Sequence, residues 1–188
     1  EEKKEFEQFM GEFSNAFTQL EKRGHLTIKQ KGLEADDLAA WIVGNKDKFG
    51  IDEIWLISSD KDWDLLINDR VSRFSTVTRK ETTVHNWDEQ YDFEIPDYIT
   101  FKCLTGDKGD NVPGIPGIGP KRAVQLMEQY GDVFDIYDAC PIDGKYKYIQ
   151  NLNENAEQLL MNVELMDLVT YSRSEEHTSE LHSRQYLV

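Results

Sequence analysis

Two aspartates, Asp107 and Asp110, lie three residues apart in a glycine-punctuated segment, GDKGDN at residues 106–111. Short carboxylates at this spacing in a turn can reach a common cation, and oxygen atoms are the ligands that Mg²⁺ prefers. Aspartates are also ordinary turn formers, so the same pattern is compatible with a surface turn that binds nothing. The segment is therefore a candidate metal site with a purely structural alternative.

A second pattern follows almost at once, because GIPGIGPKR at residues 114–122 predicts a tight hairpin that opens into a helix. Pro120 suits the first turn of a helix, where its missing N–H is not needed. Gly117 and Gly119 allow the backbone to approach a partner closely, and a helix N-terminus attracts phosphate. Lys121 and Arg122 add positive charge. These features are suited to gripping a DNA backbone without reading bases.

Two further groups of acids lie where an α/β fold places a site. One group, at residues 34–37, opens a predicted helix, and the other follows the apolar strand predicted at residues 53–58. The carboxyl ends of parallel strands meet at one edge of a sheet, where α/β sites form. The structural alternatives are helix-dipole complementation and helix capping, and Asp64 is assigned that structural role. The seven candidate catalytic and metal-binding residues are Glu34, Asp36, Asp37, Asp60, Asp62, Asp107 and Asp110.

Such a concentration of carboxylates repels itself unless cations are bound, which favours a metal site over a structural one. Two divalent ions about 3.5–4 Å apart can activate a water and stabilise a leaving phosphate oxygen. The acids and the hairpin together therefore predict metal-dependent hydrolysis of a phosphodiester. No side chain is assigned as a general base.

The joint pattern, GDKGDNVPGIPGIGPKRA together with S-x-D-x-D after a strand, resembles the 5′-nuclease (flap endonuclease) family, most closely its bacteriophage 5′-3′ exonuclease branch. The resemblance implies an α/β fold with a parallel-sheet, PIN-like core and a helix–hairpin–helix DNA-binding subdomain. It also implies two Mg²⁺ ions on the seven acids, with Mn²⁺ able to substitute, and K⁺ in the hairpin. The implied substrate is DNA with 5′ ends or flaps. The motifs match over residues 34–122, and weaker similarity extends to about residue 171.

On this basis the chain divides into a partial catalytic core at 1–100, a helix–hairpin–helix region at 101–171 and a non-native tail at 172–188. The segment RSEEHTSELHS, at residues 173–183, resembles the translation of a sequencing-adapter oligonucleotide. Family members begin with a strand that carries another metal-binding aspartate, followed by an arch. Because nothing before Glu34 matches these parts, we expect an N-terminally truncated fragment with impaired activity.

The remaining patterns predict packing elements and one further basic surface. A helix at 2–23 carries a stripe of phenylalanines typical of core packing, and residues 25–30 alternate as a short strand. Residues 71–77 and 82–85 predict a β-hairpin whose tip carries Arg79 and Lys80, two further candidate DNA-binding residues. Short helices are predicted at 96–104 and 154–166, with a basic turn at 145–147.

Composition leaves these hypotheses open. The net charge of −15 opposes nucleic-acid binding in general, but residues 101–127 carry four basic residues against two acids. No run approaches the roughly 20 apolar residues that cross a bilayer. Cys103 and Cys140 suggest neither a disulfide framework nor a zinc site. We therefore expect a cytoplasmic monomer that binds no membrane.

Two other functions fit parts of the same pattern. A non-catalytic helix–hairpin–helix module would bind duplex DNA without Mg²⁺, using only the segment at 114–127. A PIN-type ribonuclease would share the acidic α/β core, although it has no need of a duplex clamp. Preference for RNA over flap DNA would favour the ribonuclease.

Overall fold

The computed structural model describes residues 2–173, so the predicted tail lies outside the described residues from position 174 onward. The chain forms two compact units, Glu1–Glu34 and Ala35–Val188. Neither unit ends near residue 100, so the predicted division of function at that point stays a prediction. Within the described residues, no helix has the length and apolar character needed to cross a membrane.

The secondary structure of residues 2–173 is mainly helical, with five short strands. The helices are α1 (Glu2–Lys22), α2 (Ala35–Gly44), α3 (Tyr98–Thr105), α4 (Pro120–Tyr130), α5 (Val133–Ala139), α6 (Lys147–Glu154), α7 (Ala156–Met166) and α8 (Leu168–Arg173). The strands are β1 (Ile54–Ile57), β2 (Val71–Ser75), β3 (Lys80–Thr82), β4 (Gly106–Asp107) and β5 (Val112–Pro113). Short 3₁₀ helices span Asp62–Leu66, Trp87–Glu89 and Ile95–Asp97.

The N-terminal unit consists of α1 and the irregular segment that follows it. The aromatic stripe predicted to pack in a core is exposed instead, with Phe6 at 63% and Phe9 at 58% of full exposure. The rings pack only along the helix, since the Phe9 and Phe13 centroids are 6.0 Å apart. The strand predicted at 25–30 is also absent from the described structure, where this segment has no ladder partner. Both predictions rested on a periodic pattern of apolar residues, and such a pattern does not by itself show that a face is buried.

The sheet of the second unit has the order β1-β2-β3, with β1 and β2 parallel and β2 and β3 antiparallel. Helix α2 covers one face, where Ala40 packs with Leu56 and the fully buried Val71. The apolar strand predicted at 53–58 is present as β1, but it is buried on one face only. Trp55 and Ile57 remain 44% and 59% exposed, because side chains alternate along a strand and point to the face that α2 does not cover.

The residues from α3 to α7 form a helical region around the largest core cluster, which includes Leu104, Ile115, Ile136, Leu152 and Leu159. Its helix α6 was not predicted, since the sequence indicated only a basic turn there. Between α3 and α4 lie the two-stranded β4–β5 ladder and a turn, which is the predicted helix–hairpin–helix arrangement. The α/β class with a helix–hairpin–helix region is therefore confirmed, with parallel pairing limited to β1 and β2.

Candidate metal centre and nucleic-acid interface

Three of the predicted acids converge at one point. Asp62, Asp107 and Asp110 each offer a carboxylate oxygen that lies within 4.8 Å of the other two. Asp62 opens the 3₁₀ helix after β1, Asp107 ends β4, and Asp110 lies in the turn before β5. The edge of the sheet and the hairpin of the helical region thus meet at this cluster, as the sequence predicts.

The hairpin that carries Asp107 and Asp110 depends on two glycines that touch each other. Gly106 has a positive φ of 74°, and a Cβ on it would lie 2.2 Å from the nitrogen of Gly114. A Cβ on Gly114 would lie 2.3 Å from the carbonyl carbon of Thr105. Because no larger residue fits at either position, the glycine punctuation of the motif serves this close backbone approach.

A buried amide ties the same hairpin to the core. The side-chain nitrogen of Asn162, on α7, donates to the carbonyl oxygens of Cys103 at 2.9 Å and Pro113 at 2.8 Å. Because Asn162 is fully buried, water could not replace these two hydrogen bonds if its side chain were removed. Helix α7, α3 and β5 are thereby held together directly behind the acidic turn.

Lys102 is the functional residue that the sequence analysis missed. Its buried ammonium donates to Asp62 Oδ1 and lies 2.9 Å from Asp107 Oδ2, so it stands between two of the three acids. In the sequence analysis, this lysine was only one of the four basic residues counted at 101–127. Its signal was a basic residue in the last turn of a helix, five positions before the first aspartate of the motif.

The electrostatics of the cluster differ from one acid to the next. Burial raises the pKa of Asp62, even though Lys102 opposes the shift. Burial also pushes the pKa of Asp107 upward, but Lys102 and the N–H groups of Gly109 and Asp110 outweigh it and lower that pKa. Burial disfavours the charged form of Lys102, yet its two carboxylate partners raise its pKa overall. The ammonium therefore stays charged and offsets part of the negative charge.

The acids at the start of α2 and after β1 extend the cluster. Asp36 accepts a hydrogen bond from Trp63 Nε1 at 2.7 Å. Its pKa is raised, mainly by burial and then by the negative charges of Asp60, Asp37 and Asp110. The negative charges of the neighbouring acids therefore make the ionised form of Asp36 less favourable. Three converging oxygens and mutual repulsion among the neighbouring acids make this donor set fit for a divalent cation.

Two members of the predicted ligand set, Glu34 and Asp37, are not among the three converging acids. Asp37 is half-buried in the first turn of α2, beside Asp36. Glu34 is the last residue of the N-terminal unit and is exposed. Its membership in the site, like the ligand role of each individual acid, stays a prediction.

Asp64 is structural, as the sequence analysis assigned it. Its carboxylate is fully buried and forms a two-pronged ion pair with Arg73, in which one of the two N–H···O contacts is 3.0 Å long. The hydroxyl of Tyr91 donates to the same carboxylate at 2.7 Å. Because these partners bond both oxygens, the Asp64 carboxylate is engaged away from the acidic cluster.

The clamp predicted at 114–122 has the expected backbone. Residues 115–118 form a turn closed by a 3.0 Å bond from the Ile118 N–H to the Ile115 carbonyl, with Gly117 at a φ of +87°. Gly119 caps α4 and Pro120 occupies its first turn. Buried Ile115 and Ile118 anchor the turn in the core, so the exposed glycines and the helix N-terminus point outward on a rigid base.

The two basic residues of the clamp differ. Lys121 is exposed in the first turn of α4. The guanidinium of Arg122 instead donates to the Gly117 carbonyl at 2.5 Å and lies 4.6 Å from the ring centre of Tyr148. Arg122 therefore braces the turn, while Lys121 faces solvent. Arg79 and Lys80 are exposed at the β2–β3 turn, so they are accessible, but their contact with DNA stays a prediction.

Comparison with known proteins agrees with this geometry. The family model described as 5′-3′ exonuclease, C-terminal SAM fold, matches residues 94–187. The chain belongs to the 5′-3′ exonuclease family. Among relatives, the flap endonuclease of Escherichia phage T5 is 44% identical over 172 residues, which cover 91% of this chain and 58% of that protein.

Solved structures of the family resemble this fold. The crystal structure of the T5 D15 protein co-crystallised with metal ions has a TM-score of 0.82 at 43% identity, over 88% of this chain and 61% of that one. A pseudo-enzyme–product complex of the T5 D15 flap endonuclease with DNA and metal ions has a TM-score of 0.81 at 43% identity, over 88% and 61%. The chain thus spans about three fifths of these relatives.

Proposed function

We propose that this chain is the metal-binding and duplex-binding part of a structure-specific 5′-3′ exonuclease or flap endonuclease that hydrolyses DNA phosphodiesters. One observation carries the proposal. A single segment, 102–122, supplies Lys102, two of the three converging acids and the phosphate-binding start of α4. A duplex held by the clamp would therefore lie next to the acidic centre.

Asp62, Asp107 and Asp110 would hold one divalent ion, and the remaining predicted acids would complete a site for a second. We propose Mg²⁺ as the physiological ion, with Mn²⁺ able to substitute. When bound, such ions supply Lewis acidity at the phosphate and a nucleophile at neutral pH. Lys102 offsets the charge of Asp62 and Asp107 in the metal-free protein. Relatives crystallised with metal ions, zinc in one of them, support a metal site here.

The clamp would bind the phosphate backbone through Lys121, the exposed glycines and the positive end of α4. Arg122 would act indirectly, because it holds the turn in shape. The carbonyls of Pro116 and Gly117 already accept side-chain hydrogen bonds, from Asn151 and Arg122. Each of these carbonyls has a second lone pair, so the K⁺ expected in the hairpin would share these oxygens with the side-chain donors or use others. The DNA complex of a relative supports DNA as the substrate.

Cleavage of a 5′-labelled flap duplex, with Mg²⁺ and with EDTA, tests the proposal. We expect metal-dependent release of short 5′ products, and loss of cleavage with retained duplex binding in Asp110→Asn. Lys121→Ala should weaken duplex binding and reduce the salt slope by about one, whereas Lys4→Ala, in α1, should do neither. Binding without cleavage by the unmodified chain would favour the non-catalytic module. Preference for RNA would favour a PIN-type ribonuclease.

A further inference from the structure

A groove of about 700 Å³ runs between residues 90–101 and helix α4. It shares Pro120 and Lys121 with the clamp, but its other lining residues belong neither to the clamp nor to the three converging acids. Its volume lies in the range of pockets that hold one small molecule or one nucleotide. Its lining combines aromatic rings, two lysines and two glutamines, which are the side chains that recognise unpaired nucleotides.

The aromatic wall has an unusual geometry. The rings of Phe93 and Phe101 stack at 4.8 Å with an interplanar angle of 26°, and Tyr98 lies at 15° and 11° to them. Phe93 and Phe101 are only half-buried, so part of each ring is exposed in the groove. Because the three faces are nearly parallel, a planar base can extend the array. Stacking on aromatic side chains in this way contributes to the binding of single strands.

The charged side chains of the lining distinguish one end of the groove from the other. Lys61 and Lys121 are exposed, and Lys61 stands in the chain between Asp60 and Asp62 of the acidic cluster. Asp92 and Glu128 also line the groove, but Glu128 lies two turns along α4 from Lys121. A phosphate is therefore expected at the lysine end, which connects the acidic cluster with the clamp.

We propose that this groove binds one unpaired nucleotide of the DNA strand, with its base stacked on the ring array and its phosphates against Lys61 and Lys121. Gln90 and Gln125 also line the groove and carry amides that can bond a base edge, although the Gln90 nitrogen donates to Thr82 Oγ1 at 3.1 Å in this structure. The proposal rests on the function given above and adds a subsite for single-stranded DNA to it. The groove would hold a nucleotide that has left the duplex beside the acidic centre.

Titration of ¹⁵N-labelled protein with tetrathymidylate in EDTA tests the subsite without any need for cleavage. We expect saturable shifts in the amide signals of Phe93, Lys121 and Gln125. Gln125→Glu, which removes an amide donor and adds a negative charge to the groove at an exposed position, should weaken binding by about tenfold or more. The matched change Gln129→Glu, one turn further along α4 and outside the groove, should have a much smaller effect. Lys61→Ala provides a second variant at an exposed position and should also weaken binding.

The outcomes separate the subsite from the proposed nuclease. Equal binding of an abasic tetramer would overturn the proposal, because the groove would then recognise phosphate alone. Shifts confined to residues 117–122, or no binding while the flap duplex is still cleaved, would also overturn it and leave the nuclease standing. Binding in the groove without any duplex cleavage would support the subsite and count against the nuclease.

Discussion

Two groups of a cation and aspartates begin in the same short segment, at Asp62 and Asp64, and they differ in what the carboxylates have left to bind. Arg73 engages both oxygens of the fully buried Asp64. Lys102 is shared between Asp62 and Asp107, which are only half-buried. The first group, the closed pair, is complete within the protein. The second, the open cluster, keeps carboxylate oxygens directed at one point.

The difference shows how the type of cation determines what else its carboxylate partners can bind. A guanidinium presents a planar fork that matches a carboxylate and saturates it. An ammonium is a compact point charge that can bridge two carboxylates without saturating either. Asp62 and Asp64 are two residues apart in the segment DKDWD, so the partner on the neighbouring element, and not the local sequence, separates the acid of the open cluster from the acid of the closed pair.

The largest expected effect is on the closed pair. Arg73→Met leaves a buried, uncompensated carboxylate and should lower the free energy of unfolding by about 3–5 kcal/mol. Urea unfolding measures this loss. The matched control is Arg70→Met, which should cost much less, because Arg70 forms an exposed ion pair with Asp47, at 2.5 Å, and exposed ion pairs contribute little to stability. Equal losses in the two variants would show that Asp64 is not closed off from water.

A second prediction concerns the open cluster and should give an intermediate effect. Mg²⁺ at about 100 times its dissociation constant should stabilise the chain by about 2.7 kcal/mol, because it binds the folded state. Thermal melts at increasing Mg²⁺ measure the gain. Asp110→Asn should abolish most of it, whereas Asp138→Asn, an exposed acid on α5, should not. An unchanged melting temperature at millimolar Mg²⁺ would count against a metal site.

The smallest expected effect concerns Asp36, and it shows whether its carboxylate is repelled by the neighbouring acids or paired with a cation. The pKa of Asp36 is raised in the folded protein, so its ionisation costs stability as the pH rises through that pKa. Asp36→Asn keeps the acceptor for Trp63 and should stabilise the metal-free protein at pH 7 by about 0.5–1 kcal/mol.

The gain should shrink as the pH falls, because Asp36 itself is then protonated. Melting temperatures in EDTA at pH 4 and pH 7 measure this dependence, with Asp138→Asn as the control. Destabilisation by Asp36→Asn at pH 7 would mean that the acid is paired, not repelled.

Local patterns predicted the helices and the hairpin well where one residue type has a specific backbone role. Gly117 and Pro120 stand where a turn and a helix start require them, and α4 begins as expected. Apolar periodicity was less reliable, since the stripe on α1 and the side chains of Trp55 and Ile57 are exposed. Periodicity shows which residues share a face, but what covers that face depends on the rest of the fold.

For the site, the sequence by itself determined which groups are available: aspartates in glycine-punctuated turns, which suit a divalent cation, and a helix start led by glycine and proline, which suits a phosphate. Only the tertiary structure decided that Asp62, Asp107 and Asp110 share one centre and that Lys102 stands between two of them. It also decided that Arg122 braces the clamp. The physical reason is range: backbone preferences act over a few residues, whereas pairing of charges 40 positions apart depends on how the elements pack.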